Sequence, residues 1–367
     1  MVCCAMWSYT MQAQSRTLTK NISQTFLVEE GATIDITNKY GQITIETWDM
    51  DSVAVDVEIT AYGKNDIDLD KTMARVDIEF DNFDDLLNIE TVLDRNSNTF
   101  KEIWNSLGDY SKNLISKNKI SIDYVVKIPD HCDIELDNKF GNIFVNEISE
   151  ELRVTLAHGD LKANELTGST KIDLSFGRAR IKEASKAIFN LKSAELSLRK
   201  GGEVHIESSA STLDFTSVQS LKMNSRNDKM DIEEVKVLKG RSSFTQFSID
   251  SVLDIADVTL NYGELQVYSI NSNFSQVNVK SKSTDVNLNF SMGAYFTARL
   301  TGLEQTMFLT KNFMGLEKSR DQENKEMITL IGAVGYKKAK LSHVNIESES
   351  GELMIYLEDA GAITNNK

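Results

Sequence analysis

The sequence predicts an all-β chain, a single-stranded parallel β-solenoid (β-helix) with 17–18-residue coils and a small β-rich N-terminal insertion. Three observations predict it. Residues 34–48, IDITNKYGQITIETW, and residues 134–148, IELDNKFGNIFVNEI, share one frame at an offset of 100 residues: an alternating strand, Asn-Lys-aromatic-Gly, then a second alternating strand. From Gly141 the frame recurs at Gly159, Gly177, Ala194, Ser211, Asp228, Thr245 and Gly263 in steps of 17 or 18, and again at Gly351. The positions two and four after each of these anchors, Gly41 included, are apolar in all ten units.

The apolar columns set the strands. Two after the anchor stand Ile43, Ile143, Leu161, Ala179, Leu196, Leu213, Met230, Phe247, Leu265 and Leu353; four after it stand residues from Ile45 and Val145 to Val267 and Ile355. The residue between them is polar in eight of ten units, the exceptions being Phe144 and Met354. Alternation of period two marks a strand with one buried face. A step of 17–18 is too long for one strand and too short for a βαβ unit. It suits one coil that pairs in parallel with its neighbours at about 4.8 Å, so that the apolar columns become stacks in a shared interior. Glycine at four of the eight consecutive anchors is expected to mark a corner with positive φ. The seventh position after the anchor is usually apolar too, from Trp48 and Ile148 to Val252 and Ile270, and is expected to turn back into the core; Gly201 and Glu358 interrupt it.

Along the chain this gives five stretches: 1–15 as a remnant of a secretory signal peptide, 20–62 as the first solenoid strands, 63–130 as a β-rich insertion or cap, 131–358 as the solenoid, and 359–367 as a tail. The opening MVCCAMWSYTMQAQS is uncharged and mostly apolar and ends in small residues, as a cleavage site does. After its removal only Cys132 remains, which excludes an intramolecular disulfide. Within the insertion DIDLDKTMARV reads as a short helix, VDIEF and LNIETVL as strands, and SNTFKEIWNSLGDYSKNL as a loop or short helix. After Gly263 the phase drifts, and residues 315–326, GLEKSRDQENKE, read as an exposed loop.

Composition narrows the partners. With 55 acidic against 40 basic residues and a net charge of −15, the chain lacks the basic footprint that nucleic acid or an anionic membrane surface requires. No stretch approaches the roughly 20 apolar residues that span a bilayer.

Little in the sequence points to catalysis, and no catalytic, metal-binding or cofactor residue is assigned. His131, His158, His205 and His343 share no ligand spacing with one another or with Cys132, and no HExxH, GxSxG or P-loop occurs. Asp66, Asp68 and Asp70 imitate the start of a calcium loop, but Lys71 stands where its glycine belongs and Asp77 where its closing Glu belongs. Glu147, Glu165 and Glu183 lie 18 apart and are expected to stack as an acidic row. Stacked coils bring carboxylates to about the 5 Å of a retaining glycosidase. Lys182, Arg199 and Lys200 adjoin that row, which fits a solvated surface better. The remaining candidate is the column one residue before the anchor: Tyr40, Phe140, Phe176, Phe244 and Tyr262, with His158 among them. Exposed, these rings make a line for stacking on sugar or on a partner protein; packed together, they stiffen a corner.

The stretch PDHCDIELDNKFGNI from Pro129 resembles the bacterial putative-adhesin family, a domain of unknown function with β-strand repeats of the Bacteroidetes type. FLVEEGATIDITNKYGQITIETWD is similar to that family's N-terminal signature and HVNIESESGELMIYLE to its closing coil, so the resemblance spans about residues 20–358. It implies a solenoid and an exported location, periplasmic or on the cell surface. The expected function is a non-enzymatic cell-envelope module that binds glycan or protein. Its alternatives are a structural envelope protein without a specific ligand and a polysaccharide-active β-helix enzyme.

Overall fold

The computed structural model describes residues 16–83, 85–93, 119–335 and 341–358. The expected signal remnant with Cys3 and Cys4, the segment SNTFKEIWNSLGDYSKNL and the tail lie outside the described residues. The described residues are all-β: 23 strands joined in one sheet, mostly by parallel pairings, with one α-helix.

The pairing follows the sequence step. Asp160–Ser175 pairs in parallel with Arg178–Lys192, which pairs with Glu195–Ser209, then Thr212–Arg226, Lys229–Ser243 and Gln246–Ile270. Partners are 17 or 18 residues apart throughout, as in Leu161↔Ala179, Leu196↔Leu213 and Met230↔Phe247. Changes of step are absorbed by irregularities at one bend: 18 becomes 17 between Leu166 and Ser169, and 17 becomes 18 between Val235 and Val237. Both apolar columns are buried at every anchor, and so is the seventh position apart from Trp48 and Glu358. Gly201 does not break that column; it pairs with Ala184 and Val218.

The offset of 100 residues has a direct spatial meaning. Thr33–Lys39 lies beside Asp133–Lys139 with Ile34↔Ile134, Ile36↔Leu136 and Asn38↔Asn138, and Ile43 lies beside Ile143. The described residues between 49 and 132 make a detour. Its strands Leu86–Leu93 and Ile120–Pro129 pair on the outer side of the first repeat. The far end is built alike: Leu341–Ser348 and Leu353–Leu357 pair directly with Gln276–Phe290, at an offset of 67 residues. The described residues 291–335 go outward, and Tyr295–Leu303 and Met307–Leu309 cover the last repeat. At both ends the terminal repeat is therefore held between the body of the sheet and a cap.

The caps are where antiparallel pairing enters. Arg16–Leu27, Ser52–Gly63 and Ile120–Pro129 form an antiparallel meander. This corrects the assignment of all of 20–62 to the first solenoid strands, since Ser52–Gly63 runs against its neighbours. Alternating burial is the same for parallel and antiparallel strands, so the pattern alone does not separate them. At the other end Met327–Val334 pairs antiparallel with Tyr295–Leu303 and with Glu317–Arg320, so the stretch 315–326 contains a short, charged edge strand. Phe274, Phe290, Phe296 and Phe313 fill the interior beneath that cap, with centroids 4.7–6.2 Å apart. The phase drift after Gly263 is a step of 21, as in Gly263↔Thr284 and Leu265↔Val286, with the extra residues in the turn before Gln276.

Candidate functional site

Each residue of Asn-Lys-aromatic-Gly has a separate task at the corner. Asn38 and Asn138 are fully buried and do equivalent work: Nδ2 of Asn38 donates to the carbonyl of Ile122, and that of Asn138 to the carbonyl of Gly41, both at 2.9 Å. The Lys39 ammonium lies 4.8 Å from the centroid of Tyr40 and 6.0 Å from that of Phe140, within cation–π range. Burial, and then Lys139, lower its pKa.

The aromatic residue, not the glycine, takes the left-handed conformation. Tyr40, Phe140, His158, Phe176, Phe244 and Tyr262 have φ between 55° and 67°. Ser193, Ala210, Asn227 and Ser283 occupy the same place in the remaining repeats with φ of 49–57°. The expectation that the anchor glycine supplies positive φ is thus corrected for every anchor glycine except Gly351, whose own φ is 101°. Glycine stands at the anchor because backbones approach too closely for a side chain. A Cβ on Gly159 or Gly177 would lie 1.8 or 2.0 Å from the carbonyl oxygen of the preceding anchor.

At the anchors Ser211, Asp228 and Thr245 a polar knot takes the place of the glycine. Buried Asp228 accepts hydrogen bonds from the hydroxyls of Ser208 and Ser225, both 2.6 Å, and from the N–H of Ser211 at 2.7 Å. A buried carboxylate is tolerable only with such saturation.

Left-handed corners one repeat apart stack their side chains. Phe140 and His158 lie 5.0 Å apart with planes 2° from parallel, His158 and Phe176 5.0 Å and 7°, Tyr40 and Phe140 5.6 Å and 19°. A second stack, Phe244 on Tyr262, is 5.0 Å and 9°. The structure therefore joins the six predicted residues into two stacks separated by Ser193, Ala210 and Asn227. Tyr40 is buried and Phe140 half-buried, whereas Phe176, Phe244 and Tyr262 are 51%, 54% and 47% exposed. The three small residues were legible from the same spacing, but a search for aromatics passes over them.

Two depressions flank the corner. One of about 530 Å³ lies at the buried end of the ladder, between Tyr40, Phe140, Tyr62 and Asp123. Asp123 there accepts from the N–H of Gln42 at 2.7 Å. The other, of about 490 Å³, lies beside the interruption and is lined by two polar rows, one containing Asp173, Asn190, Glu207 and Asn224, the other Ser175, Lys192, Ser209 and Arg226.

The other sequence candidates stay apart. Glu147, Glu165 and Glu183 are paired neighbours on successive repeats. Lys182 Nζ lies 3.4 Å from Glu165 and Lys200 Nζ 2.7 Å from Glu183, so the row is partly neutralised at the surface. Asp66 and Asp68 open the helix Asp66–Met73, where Asn65 Oδ1 accepts from the N–H of Asp68 at 2.9 Å; carboxylates there favour the helix N-terminus. Among the described residues no group of three His, Cys, Asp or Glu side chains is placed to hold a metal ion. No described helix is long and apolar enough to cross a membrane.

No family model matches the chain, and no curated protein matches it. Two solved structures are similar to it over most of its length. One is a putative cell adhesion protein from Clostridium sporogenes ATCC 15579, 12% identical, with a TM-score of 0.20 over 93% of this chain and 100% of that one. The other is a putative lipid binding protein from Parabacteroides distasonis ATCC 8503, also 12% identical, with a TM-score of 0.32 over 91% of this chain and 96% of that one. TM-scores this low carry no argument about this chain, so the family resemblance rests on the strand pattern quoted above.

Proposed function

We propose that the chain is a non-enzymatic binding module on a single-stranded parallel β-solenoid, exported to the cell envelope, with the aromatic corner as its contact surface. The solenoid reading is supported by the register: the same step of 17 or 18 residues joins successive strands on both sides of the corner. One observation carries the binding reading. Phe176, Phe244 and Tyr262 leave about half their surface in water at a position whose left-handed backbone disfavours large side chains. Burial does not account for those three rings, and contact with a partner does.

The ion-paired acidic row supports the non-enzymatic part of the reading. One feature favours the second reading, a structural protein without a ligand: Tyr40 and Phe140 cover each other's faces and act as packing.

The test is binding of the labelled full chain to whole cells, to envelope fractions and to a glycan array. Saturable binding that falls when Phe176, Phe244 and Tyr262 are together changed to Ser supports the proposal. Absence of saturable binding to all three preparations removes it. Polysaccharide cleavage by the purified chain that disappears in Glu165→Gln favours the enzyme instead.

A further inference from the structure

We infer that the interruption of the aromatic ladder is a slot for a linear, uncharged oligosaccharide, a refinement that rests on the binding-module reading. The stack Phe140–His158–Phe176 ends at Phe176, and the stack Phe244–Tyr262 begins at Phe244. Rings this close to parallel put the free face of Phe176 toward Ser193 and the free face of Phe244 toward Asn227. Four repeat steps separate the two rings, and at about 4.8 Å each they stand about 19 Å apart. Ser193, Ala210 and Asn227 form an exposed floor of side chains too short to fill that length. The slot thus has two apolar end walls facing each other along the stack.

Its side wall is polar and balanced. The adjoining groove presents Asn190, Asn224 and Glu207, which offer planar amide and carboxylate groups, with Lys192 and Arg226 on the row nearest the corner. Asn190 Nδ2 donates to Asp173 Oδ1 at 2.5 Å, which fixes the amide plane. Ring faces beside such amides and carboxylates suit a ligand with apolar C–H faces and hydroxyl rims, which is the chemistry of a pyranose chain. The two acids and two bases in the groove offset each other, so charge selects neither an anionic nor a cationic ligand.

A peptide is disfavoured by the topology. Peptide strands bind by adding to an open sheet edge. Here Arg178–Lys192, Glu195–Ser209, Thr212–Arg226 and Lys229–Ser243 are each paired on both sides, so no backbone edge is available.

The experiment is a glycan array of neutral oligosaccharides, including cellohexaose, chitohexaose and xylohexaose, followed by calorimetric titration of the full chain with those that bind. Phe176→Ala and Phe244→Ala are each expected to weaken binding about tenfold. Ala210→Phe places a ring in mid-slot, at a column position that holds Phe in other repeats, and is expected to abolish binding without lowering the thermal midpoint. Phe308→Ala, at the exposed C-terminal cap, is expected to leave binding unchanged. Unchanged affinity in folded Ala210→Phe overturns the slot while the binding-module reading stands. Binding to cells or to protein with none to the sugars does the same. No saturable binding of any kind overturns both.

Discussion

A Cβ on Gly141 would lie 1.7 Å from the carbonyl oxygen of Gly41, 100 residues earlier in the chain. The two corners touch through their backbones, and the contact sits where the first repeat meets the body of the sheet. Gly141→Ala is expected to destabilise the fold by about 3 kcal/mol, since the Gly41 oxygen belongs to a paired backbone that has no room to yield. Denaturant unfolding measures this, with Ala194→Gly as the comparison; a midpoint in Gly141→Ala equal to that of the parent contradicts the close approach.

Asp228 collects four donors: the hydroxyls of Ser208 and Ser225 and the N–H groups of Ser211 and Arg226. Asp228→Ala takes the shared acceptor from these donors, with the Ser225 hydroxyl keeping another partner, Thr245 Oγ1 at 3.0 Å, at an expected cost of about 2–4 kcal/mol. Changing Ser208 and Ser225 to Ala in the same chain should recover part of the loss. Additive losses in the double-mutant cycle would show that the groups do not act as a unit.

Asp35 lies between Asn88 and Glu135 in the first repeat, and burial, reinforced by Glu135, Asp137 and Glu90, pushes its pKa up to about 6. Between about pH 4 and pH 6 the folded chain keeps a proton that the unfolded chain has released. Stability contributed by this group therefore falls as pH rises through that window, and the penalty is complete above it. Asp35→Asn is expected to stabilise the chain at pH 7 by about 1–2 kcal/mol after allowance for solvent screening, with no gain below pH 4. Thermal unfolding from pH 3.5 to 7.5 provides the check; a gain that is the same at every pH rules the titration out.

Cys132 is buried in the turn between Ile120–Pro129 and Asp133–Lys139, and burial, with Asp133 and Asp130, pushes its thiol up to about 11. Iodoacetamide at pH 8 should leave it unmodified in the native chain and label it in denaturant, as peptide mass mapping can follow. Equal labelling in both conditions would mean that this turn opens freely in the native chain.

Most of the repeat was legible because Ile43, Leu196 and Ile249 report burial through identity alone, and a fixed step needs no knowledge of the turn. The anchor glycine was legible as a constraint but not as to kind. Positive φ and close backbone approach both select glycine, and only the geometry shows that Phe140 carries the first and Gly141 the second. The caps were legible as strands but not as antiparallel ones. At the candidate site, Phe176 and Phe244 stood out as rings, whereas Ser193 and Ala210 became meaningful only once the ring planes gave the stack a direction. Exposure of the rings depends on what neighbours leave uncovered, which no column of identities records.

Placement of each terminal repeat beneath its cap also bears on how such a chain lengthens. Among the described residues, neither detour, within 49–132 or 291–335, pairs with the middle strands, which all meet through one shared register. An in-frame duplication of one 17-residue unit there adds a layer of about 4.8 Å and leaves both closures untouched. Genes encoding this architecture can therefore acquire longer or shorter products by simple recombination, with the ends inherited unchanged.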